Sequence, residues 1–129
     1  MKSRVGVIDI SDLKIPPEKH ELMTARVFAE MGKNIKFIKP SNVQGVHTPD
    51  FWMERRTWEV KSPMGKNIRG IESNFRDAAK QSENIIFDLR RSKIEESKAI
   101  SKIRIEAEQF RVVKRVLVVT KNGNVLTIK

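Results

Sequence analysis

Between Pro49 and Pro63 the chain reads Asp-Phe-Trp-Met-Glu-Arg-Arg-Thr-Trp-Glu-Val-Lys-Ser, two alternating runs joined by charged residues. Successive side chains of a strand point to opposite faces, so the pattern demands a β-hairpin with one apolar and one polar face. With a tight turn centred on Arg55-Arg56, Asp50 lies across from Lys61, Phe51 from Val60, Trp52 from Glu59 and Met53 from Trp58. Phe51, Met53, Trp58 and Val60 then share one face, while Asp50, Trp52, Glu59 and Lys61 share the other. Directly or diagonally opposed residues are roughly 4.5 to 8 Å apart, close enough for two carboxylates to meet one cation. Arg-Arg is a weaker turn dipeptide than Asn-Gly, and a turn one residue longer would send the carboxylates to opposite faces.

Two acids and an amine in this arrangement have a chemistry available to them. A divalent cation held by oxygen ligands lowers the pKa of a bound water and offsets the charge that builds on a phosphate under attack. A lysine beside it orients or deprotonates that water, or stabilises the oxyanion. The same residues on a solvated strand face make only an exposed ion pair, worth about 0.5 kcal/mol. What favours chemistry is the conjunction of Pro-Asp opening one strand, Glu-x-Lys closing the next, and an apolar opposite face.

Composition narrows the field. At 129 residues the chain is read as a single domain, 1–129, with 1–15 as an arm or strand. Cysteine is absent, which excludes disulfides and thiolate metal sites, and His20 and His47 do not make a zinc site by themselves. The oxygen ligands of the hairpin suit Mg²⁺ or Mn²⁺. No apolar run is long enough for a membrane span and no signal-peptide core is visible, so a reducing, aqueous compartment is expected. The net charge of +10 and a pI near 10.2 point to nucleic acid or an anionic protein as partner.

Along the rest of the chain, residues 4–10 read as a short strand or ordered arm. Pro16-Pro17-Glu18 opens a helix that Gly32 stops, with Leu22, Ala25, Phe28 and Ala29 as its apolar stripe. Glu21 rides on the edge of that stripe, either as a first-turn acid favoured by the helix dipole or as a carboxylate kept for a metal. A strand at 34–38 and a polar loop at 39–48 lead into the hairpin. After Ser62-Pro63-Met64-Gly65, a second helix runs from 66 or 67 to 82, with Ile68, Ile71, Phe75 and Ala78 on one side. Arg69, Ser73, Arg76 and Lys80 form a basic ridge on the other, suited to a phosphate backbone or to solvent. The run at 84–89 reads as a central strand covered on both faces. A third helix follows at 93–110, and strands at 115–120 and 125–128 flank Asn122-Gly123-Asn124, a hairpin signal.

The order helix, strand, hairpin, helix, strand over residues 17–89 resembles the core of the PD-(D/E)xK nuclease superfamily. The resemblance implies a restriction-endonuclease-like α/β (α+β) fold, a mixed central sheet flanked by helices. Within that superfamily the chain looks most like the C-terminal tRNA-cleaving toxin domains of contact-dependent growth inhibition and related polymorphic toxins. Glu21, Ala25 and Gly32 carry this closer likeness, together with Thr48-Pro49-Asp50-Phe51, Trp58-Glu59-Val60-Lys61-Ser62-Pro63, Ala78-Ala79-Lys80-Gln81 and Thr120-Lys121-Asn122-Gly123.

What the resemblance implies is a metal-dependent endonuclease, acting on tRNA. Asp50, Glu59 and the main-chain carbonyl of Val60 would bind Mg²⁺ or Mn²⁺, Lys61 would assist the attacking water, and Glu21 would support the metal or its water. Gln81 would steady the site or substrate. Trp52, Lys66, Arg69 and Arg76 are the further candidate nucleic-acid contacts, Trp52 either by stacking on a base or by packing beside the site. The same likeness implies an acidic immunity protein, delivery from a larger secreted or surface-exposed parent, and action in the target cell's cytoplasm. The spacing does not separate RNA from DNA, so a DNA endonuclease of the same fold, or a non-catalytic nucleic-acid-binding module, stays open.

Overall fold

In the computed structural model, residues 4–129 are described. Strand β1 (Ile8–Asp9) is followed by α1 (Lys19–Glu30), β2 (Ile35–Phe37), β3 (Phe51–Met53) and β4 (Arg56–Lys61). Then come α2 (Ile68–Ala79), β5 (Asn84–Asp88), α3 (Glu96–Gln109), β6 (Arg115–Val119) and β7 (Val125–Thr127). The strands form one seven-stranded sheet in sequence order. Strands β2, β3 and β4 pair antiparallel in turn, β4, β5 and β6 pair parallel, and β7 closes the far edge antiparallel. This is the mixed sheet with flanking helices that the sequence leads one to expect.

Two cores sit on opposite faces of the sheet. Alternate residues of β5 divide between them: Ile86 packs with Phe28 of α1, Phe51, Trp58 and Val60, whereas Ile85 and Phe87 pack with Phe75 of α2 and Ile103 of α3. All five residues of β5 are buried, as a strand covered on both faces requires. Fully burying an aromatic or branched side chain is worth about 1.5 to 3 kcal/mol, so these two layers hold the sheet rigid.

Local signals explain the element ends. Gly32, with φ of +89°, stops α1 in a conformation that costs other residues. Before α1, the arm crosses so close to the end of that helix that a Cβ on Gly6 would fall 1.8 Å from the carbonyl oxygen of Lys33. The side chain of Asn67 caps α2 by accepting from the N–H of Arg69 at 2.9 Å. Helix α2 ends at Ala79 rather than at residue 82, because Ser82 is drawn off to donate to the Thr57 carbonyl at 2.9 Å. Helix α3 begins at Glu96 rather than 93, because Ser92 accepts from the N–H of Ile94 at 3.1 Å and forms a turn ahead of it.

The hairpin corrects the expected register. Phe51 pairs with Trp58, Trp52 with Thr57 and Met53 with Arg56, so the turn is Glu54-Arg55 and not Arg55-Arg56. Both turn residues have positive φ, 53° and 64°, the geometry of a type I′ turn built without glycine or asparagine. The Trp58 indole N–H donates to the Met53 carbonyl at 3.0 Å, a bond that closes this register from inside the core. The slip along β4 is two residues, which preserves parity, and so each side chain keeps its expected face.

Candidate active site

The corrected register brings the two hairpin acids closer than expected. The Asp50 N–H donates at 2.9 Å to the carbonyl of Trp58, the residue that Phe51 already faces, so Asp50 sits as an extra, bulged residue ahead of β3, beside the Trp58–Val60 segment rather than across from Lys61. Its Oδ2 accepts the N–H of Val60 at 2.7 Å. Asp50 precedes β3, whereas Glu59 and Lys61 finish β4, and the first turn of α1 arrives at the same end of the sheet with Glu21.

Glu59 is only 4% exposed. Lys61 Nζ stands 3.3 Å from its Oε2 and is itself largely covered, so this is not the solvated pair of an open strand face. With the amide of Gln81 turned nitrogen inward, the orientation that satisfies both groups, Gln81 donates to Glu59 Oε1 at 3.0 Å and also reaches Oε2. Glu21 Oε1 accepts from the Glu18 N–H at 3.1 Å, and its carboxyl also hydrogen-bonds Asp50. The first-turn role and the site role of Glu21 are thus held together by one side chain.

The carboxylates oppose one another. Burial, and then the charge of Asp50, push Glu21 up to about 7. Burial and the charge of Glu59 push Asp50 up to about 7 as well, against the pull of the Val60 N–H. Glu59 is also raised by burial, while the hydrogen bond from Asp50 and the Lys61 ammonium limit the rise. Such a chain of acids is short of positive charge, and hard oxygen donors are what a divalent cation takes. Among the described residues no three His, Cys, Asp or Glu side chains form a ready-made metal cage. The oxygen donors that could hold a cation are the carboxylates of Asp50 and Glu59 and the main-chain carbonyl of Val60.

The candidate contacts divide. Glu21, Asp50, Glu59, Lys61 and Gln81 converge. A cleft of about 300 Å³, walled by Leu13, Ile15, Pro17, Pro40 and Pro49, opens onto Glu21 and Asp50. Trp52, 47% exposed, lines a different cleft with Val7, Lys36 and Arg55. Lys66 lies in a groove between α2 and α3 with Ile94, Lys98 and Lys102. Arg69 and Arg76 are exposed on α2.

Two buried acids escaped the sequence reading, Glu106 of α3, which pairs with Lys102, and Asp88. Asp88, at the end of β5, accepts from Thr24 Oγ1 at 2.6 Å and from Arg90 Nη2 at 2.8 Å. Burial alone would raise its carboxyl, but the Arg90 and Thr24 hydrogen bonds hold it below the usual range. The available signal is Asp-Leu-Arg at a strand end, an acid and a base placed two apart where the chain leaves the sheet.

The class defined here is a mixed-sheet α/β domain with a carboxylate and lysine corner at one end of its strands. Its fold is similar to that of a solved chain described as the CdiA-CT/CdiI toxin and immunity complex from Burkholderia pseudomallei. The likeness has a TM-score of 0.66 at 20% identity and covers 96% of this chain and 99% of that one. The family model of the contact-dependent growth inhibition CdiA C-terminal domain matches residues 47–125, and the chain belongs to that family. No curated protein matches it.

Proposed function

We propose that this domain is a metal-dependent endonuclease, a tRNA-cleaving toxin of contact-dependent growth inhibition. The observation that carries the reading is Glu59: a carboxylate removed from solvent, facing Asp50 across the hairpin and held between Lys61 and Gln81. Buried acids pressed against other acids are costly, and such arrangements cluster at functional sites.

Asp50, Glu59 and the Val60 carbonyl would hold the cation, which when bound would supply an activated water and offset phosphate charge. The N–H of Val60 fixes the orientation of Asp50. Gln81 fixes that of Glu59. Lys61 offers an ammonium to the attacked phosphate oxygens, and Glu21 takes or returns a proton at the edge of the apolar cleft. Trp52, Lys66, Arg69 and Arg76 would contribute to nucleic-acid binding away from the reacting bond.

The +10 charge suits both an RNA substrate and an acidic immunity protein. The structural neighbour was solved with an immunity protein, which supports a partner of that kind here. The site of action is the cytoplasm of the target cell, after delivery from a larger parent. Among the described residues no helix is long and apolar enough to cross a membrane.

The test is to incubate purified protein with total tRNA or plasmid DNA, with Mg²⁺ or with EDTA. Cleavage of tRNA that requires Mg²⁺, and that falls by about 10² to 10⁴ in Lys61→Ala, is expected. Cleavage of plasmid alone would move the assignment to a DNA endonuclease. Wild-type activity in Lys61→Ala would end the catalytic reading. Mg²⁺ should also raise the melting temperature of wild type and not of an Asp50→Asn, Glu59→Gln double variant.

A further inference from the structure

The two flanks of the carboxylate corner differ in charge, and this gives the substrate a direction. On the β3 side the cleft beside Glu21 and Asp50 is walled by apolar residues and Glu18, with no lysine or arginine. On the β5 side lies a niche of about 20 Å³ lined by His20, Met23, Ser62, Asp88, Arg90 and Arg91. A phosphodiester backbone is repelled by the first flank and attracted by the second.

One atom of that niche is out of place in a structural reading. Ser62 Oγ is buried and has no hydrogen-bond partner, the only such side-chain atom found among the described residues. Leaving a buried hydroxyl unpaired costs about 1 to 3 kcal/mol. Ser62 directly follows Lys61 and directly precedes Pro63. Arg91 is exposed, and its Nη2 hangs 3.4 Å from the Ser62 carbonyl, with no carboxylate partner among the described residues. Arg90 is committed to Asp88, and Nδ1 of His20 pairs with Glu18 at 3.3 Å. The space is about that of a single water or phosphate oxygen.

We infer that Ser62 and Arg91 form a second phosphate site, one that holds a phosphodiester neighbouring the scissile one so that the strand leaves the carboxylates toward β5. The inference rests on the nuclease reading above. In it, one phosphate oxygen enters the niche and accepts from Ser62 Oγ, while Arg91 donates to the remaining oxygens. Arg91 supplies charge and Ser62 supplies a neutral hydrogen bond. The two contributions therefore respond differently to salt.

The experiment measures binding of a fluorescently labelled single-stranded RNA oligonucleotide to the full chain in EDTA, from about 50 to about 200 mM salt. Each phosphate contact on a single strand contributes a slope of about 0.7 in log K against log salt, so Arg91→Ala should shrink the loss of affinity over that range by about 2.5-fold. Ser62→Ala should weaken binding by about tenfold at every salt concentration with an unchanged slope, as expected for a lost hydrogen bond to a charged group. Lys114→Ala, which removes one charge just before β6 at the opposite end of the sheet, is the control for net charge. Should Arg91→Ala and Lys114→Ala change the slope alike, and Ser62→Ala leave affinity untouched, the second phosphate site is wrong while the nuclease reading stands. If wild type binds no RNA even at the lowest salt, the reading as an RNA nuclease fails and takes this site with it.

Discussion

Two buried acids at the same end of the sheet have opposite fates. Asp88 is 3% exposed, and Arg90 and Thr24 satisfy its carboxylate. Glu59 is buried to nearly the same degree, yet its neighbours include Asp50, and beyond Asp50, Glu21. One carboxylate is held below its ordinary pKa and the others are pushed above theirs. Burial is common to both corners, so burial does not distinguish a structural acid from a functional one. The distinction lies in the charge balance: Asp88 has the Arg90 guanidinium to itself, whereas the one Lys61 ammonium beside Glu59 faces a chain of three acids.

The sharpest way to break this contrast is substitution at each corner in EDTA. Asp88→Asn strands Arg90 and should cost about 3 kcal/mol, lowering the melting temperature by roughly 10 °C. Asp50→Asn removes repulsion while still accepting from Val60, and should leave stability within about 1 kcal/mol of wild type or raise it. Equal destabilisation by the two changes would make the corners equivalent and the contrast empty.

The pH dependence of metal-free stability should carry opposite signs from the two regions. Glu21 and Asp50 have folded values near 7, above those of the unfolded chain. What they contribute is fully present below the unfolded carboxylate range and is lost as pH rises through about 7. Asp88 has a depressed folded value, so its contribution is present above the unfolded carboxylate range and is lost as pH falls through the folded one. Chemical denaturation in EDTA should therefore show stability falling between mildly acidic and neutral pH in wild type. That fall should be smaller in a Glu21→Gln, Asp50→Asn variant; a fall of unchanged size would remove those two groups as its source.

The smallest effect concerns the turn that sets the site. Replacing Glu54-Arg55 by Asn-Gly suits positive φ at both positions and should stabilise the domain by about 1 kcal/mol. The loss of the exposed Lys33 and Glu54 pair should subtract little. Because the register is unaltered, cleavage per folded molecule should stay at the wild-type level. A change in cleavage would mean that the turn, and not the facing acids alone, tunes the site.

Much of this was legible from residue order. Strict alternation fixed which hairpin residues share a face, and parity protected that reading from a two-residue slip. The register itself was not legible, because Glu54 and Arg55 carry no local mark of the left-handed conformation they adopt, and the Trp58 to Met53 bond that favours it is tertiary. Glu21 could be singled out as an acid at the margin of an apolar stripe, but its bond to Asp50 depends on how α1 packs. Asp88 was hidden inside a nearly continuous apolar run, and its partner Thr24 is far away in sequence. The orphaned hydroxyl of Ser62 is visible only once the niche exists.

The hairpin also contains its own optical instrument. The chain has two tryptophans, and they lie on its two strands and opposite faces: Trp58 in the dry core at 3% exposure, Trp52 in contact with solvent at 47%. Blue-shifted emission will report whether the ribbon is intact, while collisional quenchers will reach the outer indole alone. Swapping either one for phenylalanine separates the signals, so loss of structure and arrival of a ligand can be followed on the same molecule without an attached dye.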